Sequence, residues 1–158
     1  MDLSRKTIWI TLLLALAVIV IGFVIFNSFY TFYRVNGTSM EPTLKNGEIY
    51  LVDKGNQSIE RGDIIVFHSS PDNLTFIKRV IGLPGEKVAI HENRVYINGK
   101  ILPEPYIRNH PAIEKHKSVT VPPDHVYVLG DDRVKSVDSR QIGPIFKEKI
   151  IGTFDTGR

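Results

Sequence analysis

The chain of 158 residues is 42% hydrophobic and 23% charged, carries a formal net charge of +3, and contains no cysteine. Without thiols the protein has no disulfide, no cysteine nucleophile and no cysteine metal ligand. Lysines and arginines are scattered among acids and form no continuous basic stripe, so nucleic acid is not an expected partner.

The N-terminal region contains a long apolar segment. Residues 8–26, IWITLLLALAVIVIGFVIF, include no charge and no proline, and a helix of this length nearly crosses a hydrocarbon core of about 30 Å. A cleaved secretory signal and a buried core helix are the alternatives. The run exceeds the usual apolar core of a signal peptide, and its small residues stand inside the run instead of after it. The sequence therefore predicts a transmembrane helix over residues 8–29.

The charges that flank this span are unequal. Arg5 and Lys6 precede it, whereas only Arg34 stands in the first stretch after it. The positive-inside rule then predicts a single-pass protein of the cell membrane, with residues 1–7 in the cytoplasm and residues 30–158 outside it. Four aromatic residues after the span suit either the membrane interface or the start of the domain core: Phe29, Tyr30, Phe32 and Tyr33.

The extracytoplasmic part is predicted to be mainly β. Short β-branched and aromatic runs alternate with Gly, Pro, Asn and Asp, and such spacing favours an antiparallel sheet or barrel-like arrangement over βαβ units. The predicted strands are 48–53, 63–68, 76–83, 87–91, 94–97, 100–102, 125–129 and 150–154. Asn98-Gly99 suits a type I′ hairpin turn, and a second turn is predicted at Glu92-Asn93. The proline-rich stretch 103–123 is predicted to be irregular.

Ser39 lies in a segment punctuated by glycine and proline, Gly37-Thr38-Ser39-Met40-Glu41-Pro42. In such a turn a serine hydroxyl can be exposed while nearby backbone N–H groups converge on a developing oxyanion. Serines in turns more often cap or form the turn, so this signal is weak by itself.

Lys78 stands in the predicted strand FIKRVIG. With a two-residue period it shares a face with Phe76 and Val80, which places its amine beside apolar side chains. An edge-strand lysine whose stem reaches water is the structural alternative. The functional interpretation is that desolvation lowers the pKa of the amine, so that a neutral Lys78 can accept a proton from a serine hydroxyl.

Residues 130–143, GDDRVKSVDSRQIG, alternate acids, arginines and serines after a predicted strand. A solvated loop, a metal site or a carboxylate pair for glycosidic chemistry are all compatible with this composition. A network of Asp–Arg pairs that stiffens a site explains it most economically, because acids stand next to arginines and no histidine completes a ligand set.

Together with the span, four segments resemble the motifs of type I signal peptidases, the membrane-bound Ser/Lys enzymes, in the short form of Gram-positive bacteria. The resemblance covers almost the whole chain, and the segments in chain order are GTSMEPTL, RGDIIVF, FIKRVIGLPGE and GDDRVKSVDSRQIG. It implies a serine endopeptidase that removes signal peptides from exported preproteins and needs no metal or organic cofactor. The lipid bilayer, signal peptides and a nearby secretion translocon are the implied partners.

The resemblance also implies roles for individual residues. Ser39 would be the nucleophile, Lys78 the general base, and Ser136 a hydrogen-bonding group that orients the lysine. The backbone N–H of Ser39 would form one side of the oxyanion hole, where Gly37 lacks the side-chain donor of some family members. The ion-pair network would consist of Arg79, Asp131, Asp138 and Arg140. The residues expected to line the substrate pockets are Val35, Met40, Leu44, Phe76 and Ile77.

Asp132 departs from the family pattern, because it stands where an asparagine is usual and adds a negative charge near the site. Two other functions remain open. A self-cleaving repressor with a similar Ser/Lys pair would need a DNA-binding helical region, which the apolar N-terminal segment does not resemble. A membrane-anchored accessory protein of surface-protein or pilus assembly would not need the Ser/Lys pair.

Overall fold

The computed structural model describes residues 3–55, 58–69, 74–92, 94–107 and 116–154. One long helix is followed by two antiparallel β-sheets, as the sequence predicts. The elements are α1 (Leu3–Phe29), β1 (Tyr30–Arg34), β2 (Ile49–Asp53), β3 (Ile64–His68), β4 (Thr75–Gly82), β5 (Lys87–His91), β6 (Arg94–Ile97), β7 (Lys100–Ile101), β8 (His116–Thr120), β9 (His125–Leu129), α2 (Ser139–Ile142), β10 (Ile145–Phe146) and β11 (Ile150–Phe154).

Helix α1 continues into β1 without a linker. The most apolar 18-residue window within its portion Lys6–Phe29 has a mean hydropathy of 3.0, and none of that window is buried by the rest of the protein. Among the described residues it is the one helix long and apolar enough to cross a bilayer. Phe29 and Phe32 are 51% and 65% exposed, whereas Tyr33 packs against a hydrophobic core.

The larger sheet has the strand order β1-β2-β11-β3-β4-β9-β10. Its central strand β3 is buried on both faces, so successive side chains enter different cores. Ile64 and Val66 face one core together with Val52, and Ile65 and Phe67 face the other. Sandwiching between two cores holds β3 and its neighbour β4 in a fixed register.

The smaller sheet has the order β7-β6-β5-β8 and covers a third core. Its hairpin turns at Asn98 and Gly99, which have φ angles of 51° and 81°, as a type I′ turn requires. Gly82 lies at the end of β4, where the two sheets come close together. A Cβ at residue 82 would lie 2.5 Å from a methyl carbon of Val88 on β5. The absence of a side chain at residue 82 therefore permits the close approach.

The predicted strands all exist within one residue of their predicted ends. Three short strands, β1, β8 and β10, were not predicted. The expectation of an irregular stretch over 103–123 is wrong at β8, which pairs with β5 and packs Val119 against the third core. That pairing is nonlocal, so turn composition alone does not indicate it. The predicted turn at Glu92-Asn93 includes Asn93, which lies outside the described residues.

Candidate active site

Ser39 lies in the loop between β1 and β2, which is closed at its base by Val35 N–H to Glu48 O (2.9 Å). Met40 and Leu44 are each 1% exposed and anchor the loop in the first core, while Ser39 remains partly accessible. The buried side chains of the loop therefore fix the position of Ser39 relative to the first core.

Gly37 adopts a φ of 104° two residues before Ser39, and its N–H donates to Asn46 Oδ1 at 2.9 Å. A Cβ at residue 37 would meet nothing within 4 Å. Glycine is therefore favoured here by backbone conformation and not by lack of space.

Lys78 places its Nζ 2.8 Å from Ser39 Oγ, although 39 positions separate the two residues in sequence. The same nitrogen donates to the carbonyl of Ile77 at 2.8 Å and lies 5.4 Å from the centre of the Phe76 ring. On β4 the lysine is in register with fully buried Ile65 of β3. The predicted apolar surroundings of the amine are present, and the side chain is only 3% exposed.

Burial lowers the pKa of the Lys78 ammonium from 10.5 to about 8. Desolvation is the largest cause, and the negative charges of Asp138 and Asp131 oppose it. A substantial fraction of the amine is therefore neutral near pH 8, which a group that accepts a proton requires.

Asp131 connects the Lys78 strand to the Ser39 loop. Its carboxylate accepts two hydrogen bonds from Arg79, Nε to Oδ1 at 2.9 Å and Nη2 to Oδ2 at 2.7 Å. It also accepts a bond from the Thr43 hydroxyl at 2.5 Å. The next residue, Asp132, donates its N–H to the Ser39 carbonyl at 3.0 Å. These contacts fix the backbone of the serine relative to β4.

Asp138 and Arg140 form a second buried pair, with two hydrogen bonds of 2.8 Å each. Asp138 also caps α2 by a reciprocal capping box with Gln141 and accepts the N–H of Gly130 at 3.0 Å. The four predicted network residues are therefore brought to the site as two separate pairs. Both pairs hold the segment from residue 130 to residue 140.

Ser136 is only 5% exposed, and its hydroxyl has no hydrogen-bond partner among the described residues. The predicted hydrogen bond between Lys78 and Ser136 is not formed in this structure, since Nζ is bonded to Ser39 and to the Ile77 carbonyl instead. The hydroxyl nevertheless lies at the site. A Cβ on Gly130 would stand 2.2 Å from Ser136 Oγ and 2.6 Å from the Ser39 carbonyl oxygen.

A cleft of about 550 Å³ runs over Ser39 and Lys78. Four of the predicted pocket residues line it: Val35, Met40, Phe76 and Ile77. Leu44 does not contribute to the lining; it packs in the first core with Val52 and Phe154. The expectation of Leu44 as a pocket residue is therefore not met, because the Ser39 loop turns this side chain inward.

A buried cluster next to the site was not identified from the sequence. Arg133 pairs with Glu104, each side chain being 1% exposed, and donates from Nε to the Gly130 carbonyl at 3.0 Å. Glu104 also accepts the Tyr106 hydroxyl at 2.9 Å, and the Tyr106 ring lies 4.1 Å from the Arg79 guanidinium carbon. The one sequence feature that marks this cluster is a glutamate between Pro103 and Pro105. A charged residue in a predicted loop is usually solvated, so it does not indicate a buried ion pair with Arg133.

The carboxylate of Asp132 is engaged with the residues that follow it in the same loop. Its Oδ1 accepts the N–H groups of Val134 and Lys135 at 3.2 Å each, a role that an asparagine oxygen could equally fill. Its second oxygen lies 3.9 Å from the Lys135 ammonium. Among the described residues, no three histidine, aspartate or glutamate side chains converge as a metal site would need.

Comparisons with known proteins identify the family of this chain. The family model described as "Signal peptidase, peptidase S26" matches residues 6–156. Signal peptidase I U of Bacillus subtilis is 38% identical, over 94% of this chain and 88% of its own length. Signal peptidase IB of Staphylococcus aureus is 35% identical, over 84% of this chain and 80% of its own length.

A solved structure leads to the same family. The crystal structure of a signal peptidase I from Enterococcus faecalis aligns with a TM-score of 0.54 at 34% identity, and the match covers 61% of this chain and 97% of that one. The resemblance predicted from the four sequence motifs is confirmed. The chain belongs to the signal peptidase family, peptidase S26.

Proposed function

We propose that this membrane-anchored serine peptidase removes signal peptides from exported preproteins, with Ser39 as nucleophile and Lys78 as general base. The observation that carries the assignment of these residues is the 2.8 Å contact between Ser39 Oγ and the Nζ of a lysine that is 3% exposed. Family membership supports the reaction class and the signal-peptide substrate. No feature of the described site favours an accessory role without catalysis.

The reaction is an acyl transfer in two steps. Neutral Lys78 accepts the Ser39 proton through its lone pair while an N–H of the same amine keeps its bond to the Ile77 carbonyl. Ser39 Oγ attacks the scissile carbonyl, and the protonated lysine then donates to the leaving amine. In the second step Lys78 deprotonates a water that hydrolyses the acyl-enzyme and regenerates Ser39.

The oxyanion hole is proposed to use the backbone N–H of Ser39 on one side. Gly37 supplies no side-chain donor, so the other side has to come from backbone or from ordered water. Fixing Ser39 matters for this purpose, and its carbonyl is held by Asp132 N–H at 3.0 Å.

Ser136 is proposed to orient Lys78 when substrate occupies the cleft. Its buried hydroxyl has no partner among the described residues, and such a group costs free energy until it is bonded. The carboxylate of Asp131 is paired with Arg79 and that of Asp138 with Arg140, and these pairs keep the surrounding loop rigid. A shift of the lysine amine towards Ser136, after the amine loses its bond to Ser39, would satisfy the Ser136 hydroxyl.

The preprotein is proposed to bind as an extended strand along the cleft, with small side chains before the cut. Val35, Met40, Phe76 and Ile77 line the cleft and would form the shallow apolar pockets. Because α1 joins β1 directly, the site stays close to the bilayer from which signal peptides emerge. We infer that the domain 30–158 is extracytoplasmic, that residues 1–7 are cytoplasmic, and that the enzyme works beside the secretion translocon.

The pH dependence of cleavage tests the dyad. Only the neutral form of Lys78 is competent, so kcat/KM should rise with pH through a single ionisation near pH 8 and level off above it. The purified full-length protein in detergent, assayed on a preprotein between about pH 6 and pH 10, gives this profile. A profile that is flat across this range would contradict Lys78 as the base, and absence of cleavage at every pH would favour the accessory role.

The orientation can be tested by cysteine labelling, since the chain contains no cysteine. A cysteine at exposed Lys100 (Lys100→Cys) should react with a membrane-impermeant maleimide in intact protoplasts, and one at Asp2 (Asp2→Cys) should react only after lysis. The two variants control for each other. Labelling of the Asp2 variant in intact cells, with the Lys100 variant protected, would reverse the assigned topology.

A further inference from the structure

The charge of the cleft lining is one-sided. The charged residues that line it are Arg34, Lys78 and Lys135, and no carboxylate belongs to the described lining. Lys78 is buried and engaged with Ser39, whereas Arg34 and Lys135 are exposed. An extended peptide in this cleft therefore lies beside two hydrated cations that the dyad does not use.

Lys135 is the better placed of the two. It stands directly before Ser136 in the loop held by Asp131 and Asp138, so its backbone is fixed relative to the dyad. Its side chain is 66% exposed, and its ion pair with Asp132 is long, at 3.9 Å from Nζ to Oδ2. A single distant and partly exposed carboxylate leaves donors of the ammonium free for a ligand.

The surface next to Lys135 is apolar. Val134 and Val137 are 71% and 50% exposed, and Val137 itself lines the cleft. An aspartate or glutamate side chain suits this combination, because its methylene groups can cover valine while its carboxylate meets the ammonium. Apolar pockets alone do not distinguish acidic from neutral polar side chains.

We infer that Lys135 is a specificity-determining residue, an inference that rests on the proposed function. Its ammonium favours preproteins with an acidic side chain within about three residues of the scissile bond. Arg34 extends the same positive field along the cleft. The preference is modest, because an exposed charge pair in water contributes little binding free energy. At low salt we expect an acidic side chain to raise kcat/KM by about two- to fivefold, the factor that such a pair supplies. It declines as added salt screens the charges.

The test is a scan of one peptide substrate with constant small residues at the cut, in which Asp or its neutral isostere Asn is placed singly at each flanking position. Full-length wild-type protein in detergent should cleave the Asp peptide about two- to fivefold faster than the Asn peptide at one or two positions. In Lys135→Gln this ratio should fall close to one, with Arg34 leaving at most a small remainder, and in Lys135→Glu it should fall below one. Lys45→Gln removes a lysine that is 72% exposed outside the cleft lining, and it should keep the wild-type ratio.

The ratio separates recognition from structural damage, since misfolding lowers cleavage of both peptides alike. A wild-type ratio of one at every position, or a ratio that Lys135→Gln leaves unchanged, would overturn the inference while cleavage of the Asn peptides keeps the proposed function intact. If Arg34→Gln loses the preference for the Asp peptide while Lys135→Gln keeps it, the assignment to Lys135 is likewise overturned. No cleavage of any peptide by the wild-type protein would instead count against the proposed function.

Discussion

Replacement of Lys78 by methionine is expected to lower the kcat for preprotein cleavage by at least about a thousandfold. The variant keeps a side chain of similar length in the same buried position, but it has no lone pair that can accept the Ser39 proton. Ser39→Ala should have an effect at least as large, because it removes the atom that forms the acyl-enzyme. Lys45→Ala serves as a control, since this lysine is exposed and outside the cleft.

A stability measurement distinguishes loss of the base from loss of the fold. Holding the Lys78 pKa at about 8 instead of 10.5 costs the folded protein roughly 3 kcal/mol when the lysine is charged. Between these two values the unfolded chain binds the proton and the folded chain does not, so wild-type stability rises with pH in that window. Lys78→Met should therefore unfold at higher temperature than wild type below pH 8, and this advantage should shrink by pH 10.5.

Near-UV circular dichroism of the detergent-solubilised full chain can follow this unfolding. An inactive Lys78→Met protein that is also less stable than wild type at pH 7 would indicate a structural role for the lysine. Cleavage retained within tenfold of wild type would exclude Lys78 as the general base.

The second large effect is expected at the buried pair between Glu104 and Arg133. Glu104→Gln leaves the Arg133 guanidinium, whose side chain is 1% exposed, buried without a compensating charge. This change should lower the free energy of unfolding by about 3–5 kcal/mol. Since Arg133 also holds the Gly130 carbonyl, the loop behind Ser39 and Ser136 should loosen, and activity should fall with stability.

The double variant Glu104→Leu with Arg133→Met supplies the matched control. It removes both charges and fills a similar volume with apolar atoms, and such replacements are often neutral or stabilising. Most of the lost stability should therefore return in thermal unfolding of the double variant. If Glu104→Gln is as stable as wild type, or if the double variant is as unstable as the single one, the pair does not act as described.

Local features of the sequence were sufficient for much of the fold. The apolar run predicts α1, alternating side chains and turn residues predict eight strands, and Asn98-Gly99 predicts the hairpin between β6 and β7. Strand β8 was missed because its formation depends on pairing with β5 across a proline-rich stretch. Its own residues, HKSVT, carry little apolar periodicity.

The candidate site divides in the same way. The two-residue period placed Lys78 on an apolar face, and the motif resemblance brought Ser39 and Lys78 together as an expectation. Two side chains 39 positions apart come within 2.8 Å only because the Ser39 loop is anchored in one core while β4 is held between β3 and β9.

By itself, then, the sequence determined the long apolar helix, most strands and the residue types of the proposed dyad, because each depends on neighbours along the chain. Only the tertiary structure decided which partner each charged group takes: Asp131 with Arg79, Asp138 with Arg140, and Glu104 with Arg133. It also turned Leu44 into the core and left the Ser136 hydroxyl without its expected lysine. Those outcomes depend on distances between segments remote in sequence, which packing of the two sheets sets.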